Sequence, residues 1–113
     1  RHEKRRFPAY CDHITSPGYI DGPDGRKRAG LPIPYPDITV ITNITVMSIN
    51  KPAGLLRVDK VMPAITFEDV LANTGFEPLR TQDVTTVQPP SDSDIRLLRE
   101  EVDPGEVYLM RGR

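Results

Sequence analysis

Twelve prolines in 113 residues punctuate this chain so closely that helix content is limited and turns must be frequent, because each proline fixes φ and removes a backbone donor. The most informative stretch between elements is residues 14–30, where Pro17 and Pro23 fix φ while Gly18, Gly22, Gly25 and Gly30 release it among polar, aromatic and basic neighbours. A flexible linker repeats Gly and Ser. This tract reads instead as a shaped loop, and shaped loops on rigid scaffolds often carry function.

The remaining intervals give a coarse order of elements. Residues 1–6 are dense in cations, as in the last turn of a helix whose negative end they would meet, and Pro8 forbids continuation. Residues 10–15 mix aromatic, β-branched and polar side chains and read as a strand leading into the Ser16-Pro17-Gly18 turn. Prolines alternate through 31–36, which makes that stretch extended but unfit for a sheet interior. Residues 38–49, nearly all β-branched or apolar, carry the strongest strand signal. Turn chemistry at 50–54 and a second run at 55–62 predict an antiparallel hairpin over 38–62, near a sheet edge. Thr66 as N-cap, Glu68 and Asp69 in the first turn and Gly75 at C′ predict a helix over 67–74. A mixed extended stretch, 81–90, precedes Ser91-Asp92-Ser93-Asp94, which caps an amphipathic helix carrying Ile95, Leu98 and Val102 and stopping before Pro104. The tail from 107 is a short strand or frays.

At this length, with 37% hydrophobic residues, the chain is one domain or part of one, with a modest core. Fifteen basic against sixteen acidic residues give a net charge of -1, so no whole-protein field attracts nucleic acid or an anionic membrane. The single cysteine, Cys11, excludes an internal disulfide framework and fits a reducing compartment. No apolar run approaches the roughly 20 residues of a membrane span, and no signal pattern opens the chain, so the expected location is the cytoplasm. The start at Arg1, inside a charged segment, is read as that of a processed or truncated piece.

Two candidate chemistries are weak. Cys11 and His13 share one face of the expected strand, but only His2 remains as a third metal ligand, and Asp12 points away from any Cys-His couple. A half-buried structural strand is the better reading, and no metal is expected. The clusters Arg26-Lys27-Arg28 and Arg1 with Lys4, Arg5 and Arg6 lack the interleaved aromatics and net basicity of a nucleic-acid surface, since only Tyr19 is near the loop cluster.

The ordered set His2-Glu3-Lys4-Arg5-Arg6-Phe7, Ile14-Thr15-Ser16-Pro17-Gly18-Tyr19, Asp21-Gly22-Pro23, Gly30-Leu31-Pro32, Val40-Ile41-Thr42-Asn43 and Asn73-Thr74-Gly75-Phe76 resembles the C-terminal part of the β subunit of family I coenzyme A transferases. The glutaconate CoA-transferase-like branch is the nearest, and the resemblance runs to about Asp103-Pro104. It implies an α/β fold, here part of an open, mostly parallel sheet with an antiparallel hairpin and short flanking helices. Residues 1–113 would then be the C-terminal portion of a single β-type domain whose N-terminal portion is absent. The resemblance further implies acyl-CoA:carboxylate CoA transfer through a glutamyl-CoA thioester, the glutamate lying in a Glu-Asn-Gly-type segment.

No such segment occurs here. The glutamates are Glu3, Glu68, Glu77, Glu100, Glu101 and Glu106, none in that context, so the nucleophile is expected outside this chain and the fragment alone is expected to be inactive. Ser16, Pro17, Gly18 and Tyr19 are expected either to border the acyl or pantetheine pocket at the subunit interface or to pack across the partner subunit. One basic cluster near the coenzyme A phosphates is a weaker alternative to a solvated surface. The implied partners are the rest of the β subunit, an α-type subunit, and acyl-CoA and carboxylic acid substrates, with no permanently bound cofactor. Two alternatives stand beside the transferase: a related ring-opening hydrolase of CoA thioesters, and a non-catalytic module that binds an α-type subunit. A piece this small should expose sheet faces and edges, so self-association is expected when it is made alone. A sharp, monomeric thermal transition would contradict that.

Overall fold

The β-branched run at 38–49 does not form one strand, because a threonine reverses it. The hydroxyl of Thr42 accepts from the backbone N–H groups of Ile44 at 3.2 Å and Thr45 at 3.1 Å, while the N–H of Thr42 donates to the Thr45 carbonyl at 2.9 Å. A side-chain oxygen thus supplies the local bonds that a continuing ladder would otherwise provide. The computed structural model describes residues 1–16, 18–20, 24–32, 37–50 and 54–108. In it the run becomes β1 (Thr39–Ile41) and β2 (Thr45–Asn50), antiparallel, with Val40 opposite Met47.

β2 pairs in turn with β3 (Leu55–Val61), antiparallel, which is the expected hairpin. A fourth strand, β4 (Leu79–Thr86), pairs with β3 in parallel, and the sheet order is β1-β2-β3-β4. Parallel neighbours require a crossover, and residues 62–78 supply it with α2 (Phe67–Asn73); the earlier helix, α1 (Gly25–Arg28), lies in the loop described below. The sheet is therefore mixed, as an α/β fold with an embedded hairpin requires. Both ladders of β3 shift register at Asp59, which has no opposite partner on either side. Its carboxylate instead holds the Arg57 guanidinium at 2.8 Å.

Met47, Val58 and Val70 are wholly buried, and Ile44 and Val61 complete the core. Phe7, Val40, Leu56, Ile65, Phe67 and Val84 pack against it. The helix that carries Val70 starts where expected. Thr66 Oγ1 accepts from the Asp69 N–H and Asp69 accepts from the Thr66 N–H, a reciprocal capping box. That pairing, first through the Thr66 N–H and then through its hydroxyl, holds the Asp69 carboxyl below its usual range. On β4, Arg80 lies 4.8 Å from the centre of the Phe67 ring and so ties the edge strand to the start of α2.

Three expectations are corrected. Residues 10–15 form no strand and are exposed, since none of the described strands lies alongside to pair with them. Residues 1–6 make a single turn, closed by Arg6 and Phe7 N–H bonds to the Glu3 carbonyl at 2.9 and 3.0 Å, with Glu3 and Arg6 paired at 3.3 Å. The second amphipathic helix forms as α3 (Asp92–Leu97), capped by Ser91 and Asp94, but then widens into a π-helical turn, Leu98–Val102, and none of its residues is buried. Parts of the expected 31–36 extension, the 50–54 turn and the tail fall at 33–36, 51–53 and 109–113, outside the described residues.

The N-terminal segment is held by a clasp. The buried His2 ring stacks on Phe7 with centroids 4.0 Å apart. Its Nδ1 lies 3.2 Å from Thr42 Oγ1 and its Nε2 lies 3.0 Å from Thr74 Oγ1. The Thr74 hydroxyl donates its own hydrogen to the Val70 carbonyl at 2.7 Å, which makes Nε2 the donor to Thr74, while Nδ1 competes with the Thr45 carbonyl, also 3.2 Å away, for the single hydrogen of the Thr42 hydroxyl. The His2 N–H also donates to Asn43 Oδ1 at 2.6 Å. Gly75 closes the clasp by donating to the Phe7 carbonyl at 2.7 Å. A Cβ at 75 would stand 2.7 Å from that oxygen and 2.8 Å from the Ala9 nitrogen, so glycine is needed there for close backbone approach.

The radius of gyration is 17.2 Å, against about 13 Å for a compact domain of this length. Much apolar surface stays uncovered, including Ile41, Leu55 and Val102.

Two outcomes follow from the clasp. Gly75→Ala should lower stability by about 1–3 kcal/mol, the usual cost of forcing a methyl into a filled space, read from urea unfolding of the chain. Burial pushes the His2 pKa below its ordinary 6.5. The fold therefore favours the neutral ring. Its contribution is fully present above the unfolded-state value and is lost as pH falls from about 6.5 through the lowered folded-state value. Thermal melts from pH 7.5 to 5 should show that loss, and His2→Gln should remove it.

Candidate functional site

The loop that the sequence marks as shaped is organised by one buried arginine. α1, a single turn, begins after Asp24 and ends in a Schellman arrangement: the Gly30 N–H donates to the Lys27 carbonyl at 3.1 Å and the Leu31 N–H to the Arg26 carbonyl at 2.9 Å. Gly30 has φ +67°, the left-handed conformation that this ending requires. α1 sets Arg26 facing inward, where only 8% of the residue is exposed. From there Nη1 donates to the Gly18 carbonyl at 2.7 Å, and Nε and Nη2 both donate to the Pro32 carbonyl at 3.1 Å. The guanidinium thereby joins the two limbs of the loop across eight residues on one side and six on the other.

The limb it grips is strained. Gly18 sits at φ +48° and Ile20 at φ +61°, and a β-branched residue in the left-handed region costs about 1–2 kcal/mol. Hydrogen bonds to a charged donor contribute about 1.5–3 kcal/mol each, which is of the same order as that strain. Ile20 remains 45% exposed. Of the four residues expected at the site, Ser16 lies exposed at the entry of this turn, Gly18 and Tyr19 are half-buried within it, and Pro17 is outside the described residues.

Other candidates separate. Cys11 and His13 are exposed, whereas both ring nitrogens of His2 face threonine hydroxyls at the clasp. Among the described residues no group of three or more His, Cys, Asp or Glu side chains is placed to hold a metal ion. Glu68, Glu77, Glu100, Glu101 and Glu106 are exposed and Glu3 is half-buried in its pair with Arg6, so none occupies the closed pocket that a nucleophilic carboxylate needs. A groove of about 410 Å³ lies across the first three strands, with Asp37, Ser48, Asn50 and Arg57 among its walls. The sequence pointed to neither Arg57 nor the role of Arg26. For Arg26, the one usable signal is the Ala29-Gly30-Leu31 helix ending shortly after Asp24, which sets the arginine on a one-turn helix.

No family model matches the chain. It is 38% identical over 109 residues to the B subunit of glutaconate CoA-transferase from Acidaminococcus fermentans, which takes in 96% of this chain and 41% of the relative. It is 30% identical over 95 residues to the B subunit of 3-oxoadipate CoA-transferase from Pseudomonas knackmussii, covering 84% of this chain and 36% of that one. It is 32% identical over 65 residues to the IpdB component of the cholesterol ring-cleaving hydrolase of Rhodococcus jostii, covering 58% and 26%. The fold superposes on the crystal structure of glutaconate coenzyme A-transferase from A. fermentans with a TM-score of 0.89 at 38% identity, over 99% of this chain and 43% of that chain. On R. jostii IpdAB the TM-score is 0.71 at 26% identity, over 95% and 42%. The chain thus spans 41% or less of the length of the relatives it matches in sequence.

Proposed function

The chain belongs to the family I coenzyme A transferases, on their β-subunit side, and from that premise we propose that it is part of the β subunit of an acyl-CoA:carboxylate CoA-transferase of the glutaconate CoA-transferase type. The observation that carries this reading is the likeness to the A. fermentans protein, 38% identical over 96% of the chain with a TM-score of 0.89 for the fold. The chain represents the C-terminal portion of one β-type domain, works in the cytoplasm, and takes a CoA thioester and a carboxylic acid as substrates.

Its own residues supply shape, and another segment supplies the reacting group. A carboxylate that attacks a thioester has to be enclosed with an oxyanion donor opposite. No glutamate among the described residues is so enclosed, which agrees with a catalytic glutamate in the remaining portion of the subunit. Ser16, Gly18 and Tyr19, with Pro17, form a wall of the acyl or pantetheine pocket where the α-type subunit meets the β subunit. A wall of this kind must hold its shape before the pocket is completed, and the Arg26 brace supports that role.

A second reading, hydrolysis of a CoA thioester, is favoured by the R. jostii relative, though over a smaller share of the chain. The chain alone should turn over no CoA thioester; measurable turnover by the purified chain would refute the division of labour. The full complex, given a CoA thioester with and without acetate, should exchange CoA only when the acceptor is present. Release of free CoA without acceptor would establish the hydrolase instead, and a full-length subunit with no catalytic glutamate segment would leave only a binding module.

A further inference from the structure

Arg26 is one of three consecutive cations, yet its environment differs from that of its neighbours. Lys27 and Arg28 are exposed, while Arg26 is buried with three donor contacts to two backbone carbonyls. Burying a guanidinium is unfavourable unless its donors are met, so its place in the loop reflects a specific fit. Two of its acceptors among the described residues, Gly18 and Pro32, are not on its own helical turn; they lie on the limbs that enter and leave the loop.

We infer that Arg26 is the positioning residue of the CoA-thioester site, fixing the Gly18–Tyr19 peptide and the left-handed Ile20 so that the turn meets the acyl and pantetheine part of the substrate in one shape. This rests on the reading of the loop as a pocket wall. The geometry requires a planar fork. One face of the fork, Nε with Nη2, is spent on Pro32 and the far nitrogen, Nη1, on Gly18, whereas an ammonium is a point charge on a flexible stem and cannot span both limbs in this way. These contacts direct Nε, Nη1 and Nη2 of Arg26 to the loop's own carbonyls. Ile20 makes the brace necessary, because a β-branched residue at φ +61° relaxes to the extended region once nothing holds it.

The test uses the full-length β subunit assembled with its α-type partner. Arg26→Lys keeps charge and approximate length, Arg26→Ala opens a space that methylguanidinium can fill, and Lys27→Gln removes an equal charge one residue away. Amide hydrogen exchange at residues 18–20 and steady-state kinetics with a CoA thioester are read on each. Both Arg26 variants should exchange about ten-fold faster at 18–20 and raise KM for the thioester about ten-fold with a smaller change in kcat, since a wall contact acts on bound substrate in ground and transition state alike. Methylguanidinium should restore both readouts in Arg26→Ala, and Lys27→Gln should match the parent. Should Arg26→Ala fail to assemble, Arg26→Lys carries the comparison. Unchanged exchange in the Arg26 variants would overturn the brace itself. Faster exchange with unchanged KM would overturn the positioning role by removing the loop from the pocket, and would leave the transferase assignment of the complex standing.

Discussion

The cross-strand contact between Met47 and Val58 is the point on which the rest of the fold is hung. The two are register partners on β2 and β3, and both are fully excluded from water. Val70 of α2 closes over them, equally buried, and brings with it the crossover that sets β4 parallel to β3. The core beyond these three adds only Ile44 and Val61 as buried apolar residues among those described. Burial of one aliphatic side chain contributes about 1.5–3 kcal/mol, while ordering each residue's backbone costs roughly 1–2 kcal/mol. A core of this size stabilises the hairpin and its helix and has little left over for distant segments.

Those segments are held by polar devices, each at one location. Thr42 turns β1 into β2, Thr66 and Asp69 start α2, His2 and Gly75 fasten the N-terminal turn, and Arg26 closes the long loop. Hydrogen bonds of this kind fix direction more than they drive collapse. The extended dimensions of the chain, 49 × 30 × 26 Å, follow from that balance. Where neither device nor core reaches, apolar residues stay in contact with water: the α3 segment keeps Leu97 and Leu98 exposed although its N-terminus is fully capped.

What was legible in the sequence was local. The α2 start was readable because a capping box is four residues long, and the β2–β3 hairpin because its two runs are adjacent and end in turn chemistry. The reversal at 42–44 was hidden inside a run whose composition favours strand throughout; only the ability of a threonine hydroxyl to take two backbone donors decides it. β4 was legible only as a mixed extended stretch, 81–90, and its pairing was hidden because its partner lies across a crossover and its own burial is partial. Residues 10–15 had strand composition but none of the described strands beside them, so propensity without a neighbour gave an element that the described residues do not form. At the candidate site the loop was legible from its Gly and Pro spacing, but the sorting of three like cations into one buried brace and two exposed charges was not, because burial is a property of the folded loop.

That sorting explains why this loop can be both strained and useful. A substrate wall that must order itself on binding loses affinity to the entropy of its own immobilisation. Here the ordering is done during folding: a charged fork holds the Gly18 carbonyl, two residues before the left-handed Ile20, and Ser16 and Ile20 stay exposed. On the reading proposed above, in which the loop is one wall of the pocket and the reacting carboxylate lies on another segment, an already shaped and exposed turn is what such a half-pocket requires. On that reading the reacting atoms would be positioned by two shaped surfaces meeting rather than by a loop closing, and orientation set before the substrate binds lowers the barrier for attack.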